Sequence, residues 1–161
     1  PAHWQTLWER AERERFRRVE QRDWENPLRD DWTQALDDAI AACVAPPVLV
    51  AHSLGCIAIA HWVAAHLRPV AGALLVAPAD VEAEDAPEPV RHFAPIPLRP
   101  LPFRSILVAS TDDPWLRMER AEHLARCWGS DLMRIEGAGH INTDAGFGPW
   151  PHGEELLQRL C

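Results

Sequence analysis

Ser53 is the side chain in this sequence best placed to attack a carbonyl. It lies in Ala51-His52-Ser53-Leu54-Gly55, straight after the apolar run 48–51 and straight before Ile57, Ala58, Ile59, Ala60, Trp62 and Val63. A buried strand, a sharp turn and an immediate helix would present its hydroxyl at the top of a sheet. Strain at such a serine demands small residues two before and two after it. Gly55 meets that demand and Ala51 nearly does, where glycine is the commoner choice. The helix start also puts the Leu54 N–H where a tetrahedral oxyanion would form. Standing alone, the pentapeptide reads more simply as a serine capping a helix. The strand before it and the helix after it favour the nucleophile.

A nucleophilic serine needs a base, and the base needs an acid to orient it. Leu132-Met133-Arg134-Ile135 reads as a strand, followed by Glu136-Gly137-Ala138-Gly139-His140-Ile141-Asn142. Glycines on both sides of an imidazole after a strand describe a loop that brings His140 over the sheet edge. None of the other seven histidines has that setting. His52 adjoins the nucleophile but points away from it if the turn is sharp. His61 and His66 sit on a helix and read as structural or solvent-facing. For the acid, Ile106-Leu107-Val108 runs into Ser110-Thr111-Asp112-Asp113-Pro114. Carboxylates there would stand at the C-terminal end of a strand, where α/β sheets keep their sites. Asp113 before Pro114 is also a standard helix cap, and the two roles can coexist. Asp112 is the neighbouring candidate and Asp80, after the second strand, a weaker third.

These positions require elements to hold them. Trp4, Leu7, Trp8 and Ala11 recur at helical spacing over residues 3–15. Phe16 and Val19 alternate weakly over 16–24, as a strand near a sheet edge could. Asp30 or Asp31 predicts the cap of a helix carrying Trp32, Leu36, Ala39, Ile40 and Cys43 on one face, ended by Pro46-Pro47. Strands are expected at 48–51, 70–77, 105–109 and 132–135, and helices at 54–68, 114–128 (closed by Gly129) and 153–160. Continuous apolar strands alternating with helices predict an α/β fold with a mostly parallel sheet buried on both faces. The Pro-rich stretch 78–102 reads as a loop packed over the rim of a pocket, with Phe93, Ile96, Leu98 and also Trp115 lining it. A linker tiling the surface fits that stretch about as well.

Composition narrows the function. A chain of 161 residues makes one domain. A net charge of −8 argues against binding a phosphate backbone, and no apolar run is long enough to cross a bilayer. The four cysteines make no metal-like spacing with histidine. Cys43, Cys56 and Cys127 fall in apolar helical patterns, as buried free thiols do, and Cys161 pairs with none of them. Free thiols favour a reducing compartment, and neither a cofactor nor a metal is expected.

With these residues in view, the sequence resembles the retinoblastoma-binding protein 9 (YdeN-like) family of small α/β-hydrolases. The likeness rests on His3-Trp4-Gln5, Ala51-His52-Ser53-Leu54-Gly55, Gly72-Ala73-Leu74-Leu75-Val76-Ala77-Pro78-Ala79-Asp80 and Ser110-Thr111-Asp112-Asp113-Pro114. It continues through Trp128-Gly129-Ser130, Gly139-His140-Ile141-Asn142 and Gly146-Phe147-Gly148-Pro149-Trp150, in order along nearly the whole chain. The resemblance implies a three-layer α/β-hydrolase fold without a large cap domain, and a triad of Ser53, Asp113 and His140. It also implies a cytoplasmic serine hydrolase acting on small ester or amide substrates without a cofactor. Family members carry a strand and a Pro-Gly loop ahead of the His-Trp-Gln segment, and that loop supplies the second oxyanion donor beside Leu54. The resemblance therefore places the first strand and that loop outside residues 1–161. Losing one such donor costs roughly 100- to 1,000-fold in turnover. A non-catalytic interaction module on the same fold is the competing expectation.

Overall fold

The four apolar runs become four parallel strands, the central two buried on both faces and the outer two partly exposed. In the computed structural model, which describes residues 2–161, these are β1 (Val48–His52), β2 (Gly72–Val76), β3 (Arg104–Ser110) and β4 (Asp131–Ile135). They form one sheet in the order β1-β2-β3-β4, with Val50 beside Leu74, Leu74 beside Ile106 and Val108 beside Met133. The helices are α1 (Trp4–Ala11), α2 (Arg29–Ala41), α3 (Leu54–Ala65), α4 (Met118–Trp128) and α5 (Pro151–Gln158).

Strand alternation divides the core into two layers. Leu49, Ala51, Ala73, Leu75, Leu107 and Ala109 face α2, α3 and α4. Leu74, Val76, Ile106 and Val108 face α1 and α5 across an aromatic group of Trp4, Trp8 and Trp150. Trp4 lies 4.8 Å from Trp8 and 5.1 Å from Trp150, in tilted and edge-to-face arrangements favoured by ring quadrupoles. The result is the three-layer α/β-hydrolase architecture expected from the sequence.

Several expectations change at the edges of elements. Residues 16–24 form no regular strand, because no neighbouring strand is there to pair with them. α1 ends at Ala11 and not near Arg15. α2 starts at Arg29 with Leu28 as its cap residue, so Asp30 and Asp31 lie inside its first turn, where they complement the helix dipole. Because α2 stops at Ala41, Cys43 falls beyond it and is exposed; Cys56 is buried, Cys127 half-buried and Cys161 exposed, and all four are free. α4 begins at Met118 and not at Pro114, then closes on Gly129 with φ 70°. The 78–102 stretch is neither lid nor surface tiling. It contains a 3-10 turn (Glu88–Phe93), and Val81, Phe93, Ile96 and Leu101 enter the core layer beside α3 and α4. Glu82 accepts the Ile96 N–H and pairs with Arg120 of α4, which fastens this stretch to the helix layer.

Gly153 sets a sharp packing limit in α5. A Cβ there would come within 2.2 Å of the Trp150 ring, which is itself wedged against Trp4 and Trp8. Gly153→Ala must therefore displace the aromatic group, a cost of about 1–3 kcal/mol for an overpacked core. Thermal unfolding should show a Tm lower by several degrees; an unchanged Tm would mean the group repacks freely.

Candidate active site

The C-terminal ends of β1, β3 and β4 lie along one edge of the sheet, and a candidate residue follows each. Ser53 follows β1 with φ 54° and ψ −122°, a left-handed backbone that non-glycine residues adopt at a cost. Its N–H donates to Val76 O at 3.0 Å and its carbonyl accepts from Cys56 N at 3.1 Å, so the turn is fastened on both sides. A Cβ at Gly55 would meet the Ala51 Cβ at 3.5 Å, an ordinary contact. The two positions face each other across the turn, and Ala51 fits beside Gly55 without a clash. Leu54 opens α3, and first-turn N–H groups have no partner within their helix.

His140 Nε2 lies 2.9 Å from Ser53 Oγ, and His140 Nδ1 lies 3.0 Å from each carboxylate oxygen of Asp113. His140 is 8 % exposed and Asp113 9 %, so this chain of contacts is shielded from water. The structure thus brings together all three residues singled out from the sequence, in the order serine, imidazole, carboxylate. Asp113 Oδ1 also accepts the Trp115 N–H at 2.8 Å. The capping role foreseen for Asp113 is therefore a local turn, not the start of α4.

Asp112 and Asp80 lie elsewhere. Asp112 Oδ1 accepts from Ser110 Oγ and from Gly139 N, both at 2.7 Å, and these bonds hold its carboxyl below the usual range. Asp80 faces Arg120 at 3.3 Å. Among the other histidines, His61 contacts Phe93 O at 2.6 Å and His66 contacts the buried Asp37 at 3.2 Å, so both tie helices together.

His52 has a partner that sequence reasoning did not find. It does turn away from Ser53, but only to place Nε2 2.8 Å from the carbonyl oxygen of His140. Strand parity held the signal: His52 shares the face of Val48 and Val50, toward α1. Burial lowers its pKa from 6.5 to about 3, with the nearby His140 and His3 rings pushing the same way. It is therefore neutral, and its Nε2–H donates.

An open groove of about 610 Å3 runs from Ser53 along the outer edge of β1, lined by Trp24, Trp32, Leu36, Leu54, Ala58 and Ile59 among others. Phe93, Ile96, Leu98 and Trp115 do not line it. The first two are core residues, while Leu98 and Trp115 stand 45 % and 47 % exposed. No helix among the described residues is long and apolar enough to cross a membrane.

A family model described as serine hydrolase matches residues 1–159. The chain belongs to the serine hydrolase family. A YdeN-like hydrolase from Pectobacterium atrosepticum is 34 % identical with a TM-score of 0.87, over 99 % of this chain and 82 % of that one. The ydeN gene product of Bacillus subtilis has a TM-score of 0.80 at 21 % identity, over 98 % of this chain and 90 % of that one. The Rhodococcus esterase RhEst1 has a TM-score of 0.60 at 16 % identity, over 82 % of this chain and 72 % of that one. The last two likenesses are of fold. No curated protein matches this serine hydrolase significantly.

Neutral burial of His52 gives stability a defined acid limb. The unfolded state binds a proton near pH 6.5 and the folded state only near 3, so stability is full above that window and falls as pH drops through it. The slope is up to about 1.4 kcal/mol per pH unit. Urea unfolding at pH 7 and pH 5 should show His52→Gln losing less stability between the two than the parent does. An equal loss would place the acid limb on other groups.

Proposed function

We propose that this serine hydrolase cleaves small ester or amide substrates by acyl transfer to water, with Ser53 as nucleophile, His140 as base and Asp113 as orienting acid. The observation that carries this reading is the continuous contact from Ser53 Oγ through His140 to both Asp113 oxygens. In the reaction, His140 Nε2 takes the hydroxyl proton as Ser53 Oγ bonds to the carbonyl carbon. Asp113 accepts the Nδ1–H and stabilises the imidazolium that forms. The Leu54 N–H, at the positive end of α3, faces the developing oxyanion. When the intermediate collapses, His140 returns the proton to the departing alcohol or amine. Water then repeats the sequence on the acyl-enzyme and frees Ser53.

The second oxyanion donor is proposed to come from the segment that the resemblance puts ahead of His3-Trp4-Gln5. β1 pairs with β2 on one side. On its other side Val50 O accepts Gln5 Nε2 at 3.1 Å, and the groove lies alongside. A strand carrying that donor loop would pair there. The retinoblastoma-binding protein 9 group and a cytoplasmic setting belong to the same proposal, the latter supported by four free thiols. A net charge of −8 keeps nucleic acid out of the reading.

A fluorophosphonate probe, followed by intact mass, tests the nucleophile. The parent chain should gain one adduct, and Ser53→Ala and His140→Ala none; an adduct that persists in Ser53→Ala sinks the assignment. Hydrolysis of short p-nitrophenyl esters then separates the two aspartates. Asp113→Asn should lower kcat on the order of 10⁴-fold, as loss of the orienting acid does. Asp112→Asn keeps the Oδ1 acceptor for Gly139 and should fall far less. The reverse ranking would make Asp112 the acid.

A further inference from the structure

The loop that carries His140 is strained. Gly137 and Gly139 take φ 59° and 52°, and Ile141 takes φ 49°, a region that a β-branched side chain rarely enters. Such a loop persists only where its surroundings over-determine it. Here the surroundings are side chains from three other elements. Gly137 N donates to Thr111 Oγ1 at 3.0 Å, Ala138 N to Ser110 Oγ at 2.9 Å, and Gly139 N to Asp112 Oδ1 at 2.7 Å. On the opposite side His52 Nε2–H donates to His140 O at 2.8 Å, and Trp4 Nε1–H donates to Ile141 O at 2.9 Å. Trp4 is fully buried, and its ring lies 6.0 Å from that of His52.

We propose that His52 and Trp4 are positioning residues that set the height and tilt of the His140 imidazole by hydrogen-bonding the main chain at and after it. The proposal rests on the assignment of His140 as the base. Both donors act on carbonyls, so neither competes for the ring nitrogens that the reaction uses. The His52 ring stands 4.8 Å from the His140 ring. A cation at that distance would oppose the imidazolium that forms when Ser53 gives up its proton, so a neutral donor is required. Low basicity in the buried His52 agrees with that requirement. The third ring in line, His3, lies 4.8 Å from His52 on its other side and shares a lowered pKa, caused first by burial.

The test uses variants that remove one N–H and keep a ring: His52→Phe and Trp4→Phe, with His52→Gln restoring a donor. Fluorophosphonate labelling rates and ester kinetics are measured beside Tm. The loss expected is about 10- to 100-fold in labelling rate and kcat, as for a catalytic group displaced by a fraction of an ångström to an ångström, with KM little changed. His52→Gln should recover most of it. In 15N spectra the parent His140 should hold one tautomer, Nδ1–H, while His52→Phe and Trp4→Phe should mix tautomers. Labelling within twofold of the parent, a single His140 tautomer in the phenylalanine variants, or no recovery in His52→Gln overturns the clamp. A parent that takes no label, even with the strand and donor loop supplied ahead of His3, overturns the nucleophile assignment instead. The tautomer measurement needs no turnover and still decides the clamp.

Discussion

Parallel pairing is the constraint on which the site depends. Because β1, β2, β3 and β4 all run the same way and in register, their C-terminal ends form one ledge. Three turns that leave this ledge carry Ser53, Asp113 and His140, residues far apart in sequence. Neither the bare triad contacts nor any local motif could assemble them. Hydrogen bonds across the sheet also continue into the turns: Ser53 N reaches Val76 O, Ala77 N reaches Val108 O, and Thr111 N reaches Ile135 O. Each loop therefore leaves the sheet in a direction already set by its neighbour. Any slip of register would move a whole side-chain set to the wrong face.

Much of this was legible locally. Apolar runs of strand length, glycines beside His140 and small residues around Ser53 are signals contained within a few positions, and the elements they predict are present. Element boundaries were less legible, because capping and stopping depend on what packs nearby. Asp30 and Asp31 looked like caps, yet Leu28 is the cap residue and α2 starts at Arg29, two or three residues earlier than either would set it. Residue types alone did not separate Asp112 from Asp113, since adjacent side chains at a strand end differ only in direction; the resemblance alone pointed to Asp113. The turn through Trp115 N sends Asp113 to His140 and leaves Asp112 on Gly139 N. The weak alternation of 16–24 failed for a non-local reason: a strand exists only where another strand accepts its backbone groups.

The two layers of the core serve the site differently. On the α2, α3 and α4 side Trp62 donates to Asp37 and Trp128 to Pro97 O, away from the site, and the packing holds the Ser53 turn through α3. On the α1 and α5 side the indole N–H groups reach carbonyls of the loop that follows β4. Trp4 donates to Ile141 O, and Trp8 donates to Pro149 O at 2.6 Å. Burying an indole costs less when its N–H is satisfied. Here those N–H groups are satisfied by loop carbonyls, so the packing that stabilises α1 also fixes the loop beyond His140.

That division explains why restraint falls on the main chain of the histidine loop and not on the ring. A general base must hold its place and still exchange a proton between Ser53 and a leaving group. Fixing the imidazole by further bonds to its nitrogens would use the atoms needed for chemistry. Asp113 takes Nδ1, the one nitrogen that can be committed without loss, and Nε2 remains for Ser53. Everything else that restrains the loop acts on the amides of Gly137, Ala138 and Gly139 or on the carbonyls of His140 and Ile141. The strain at Ile141 is tolerable for the same reason: five hydrogen bonds from rigid elements hold a conformation that the chain would not choose alone. Rigidity is thus supplied through the backbone, and freedom is kept at the single nitrogen that must give and take a proton.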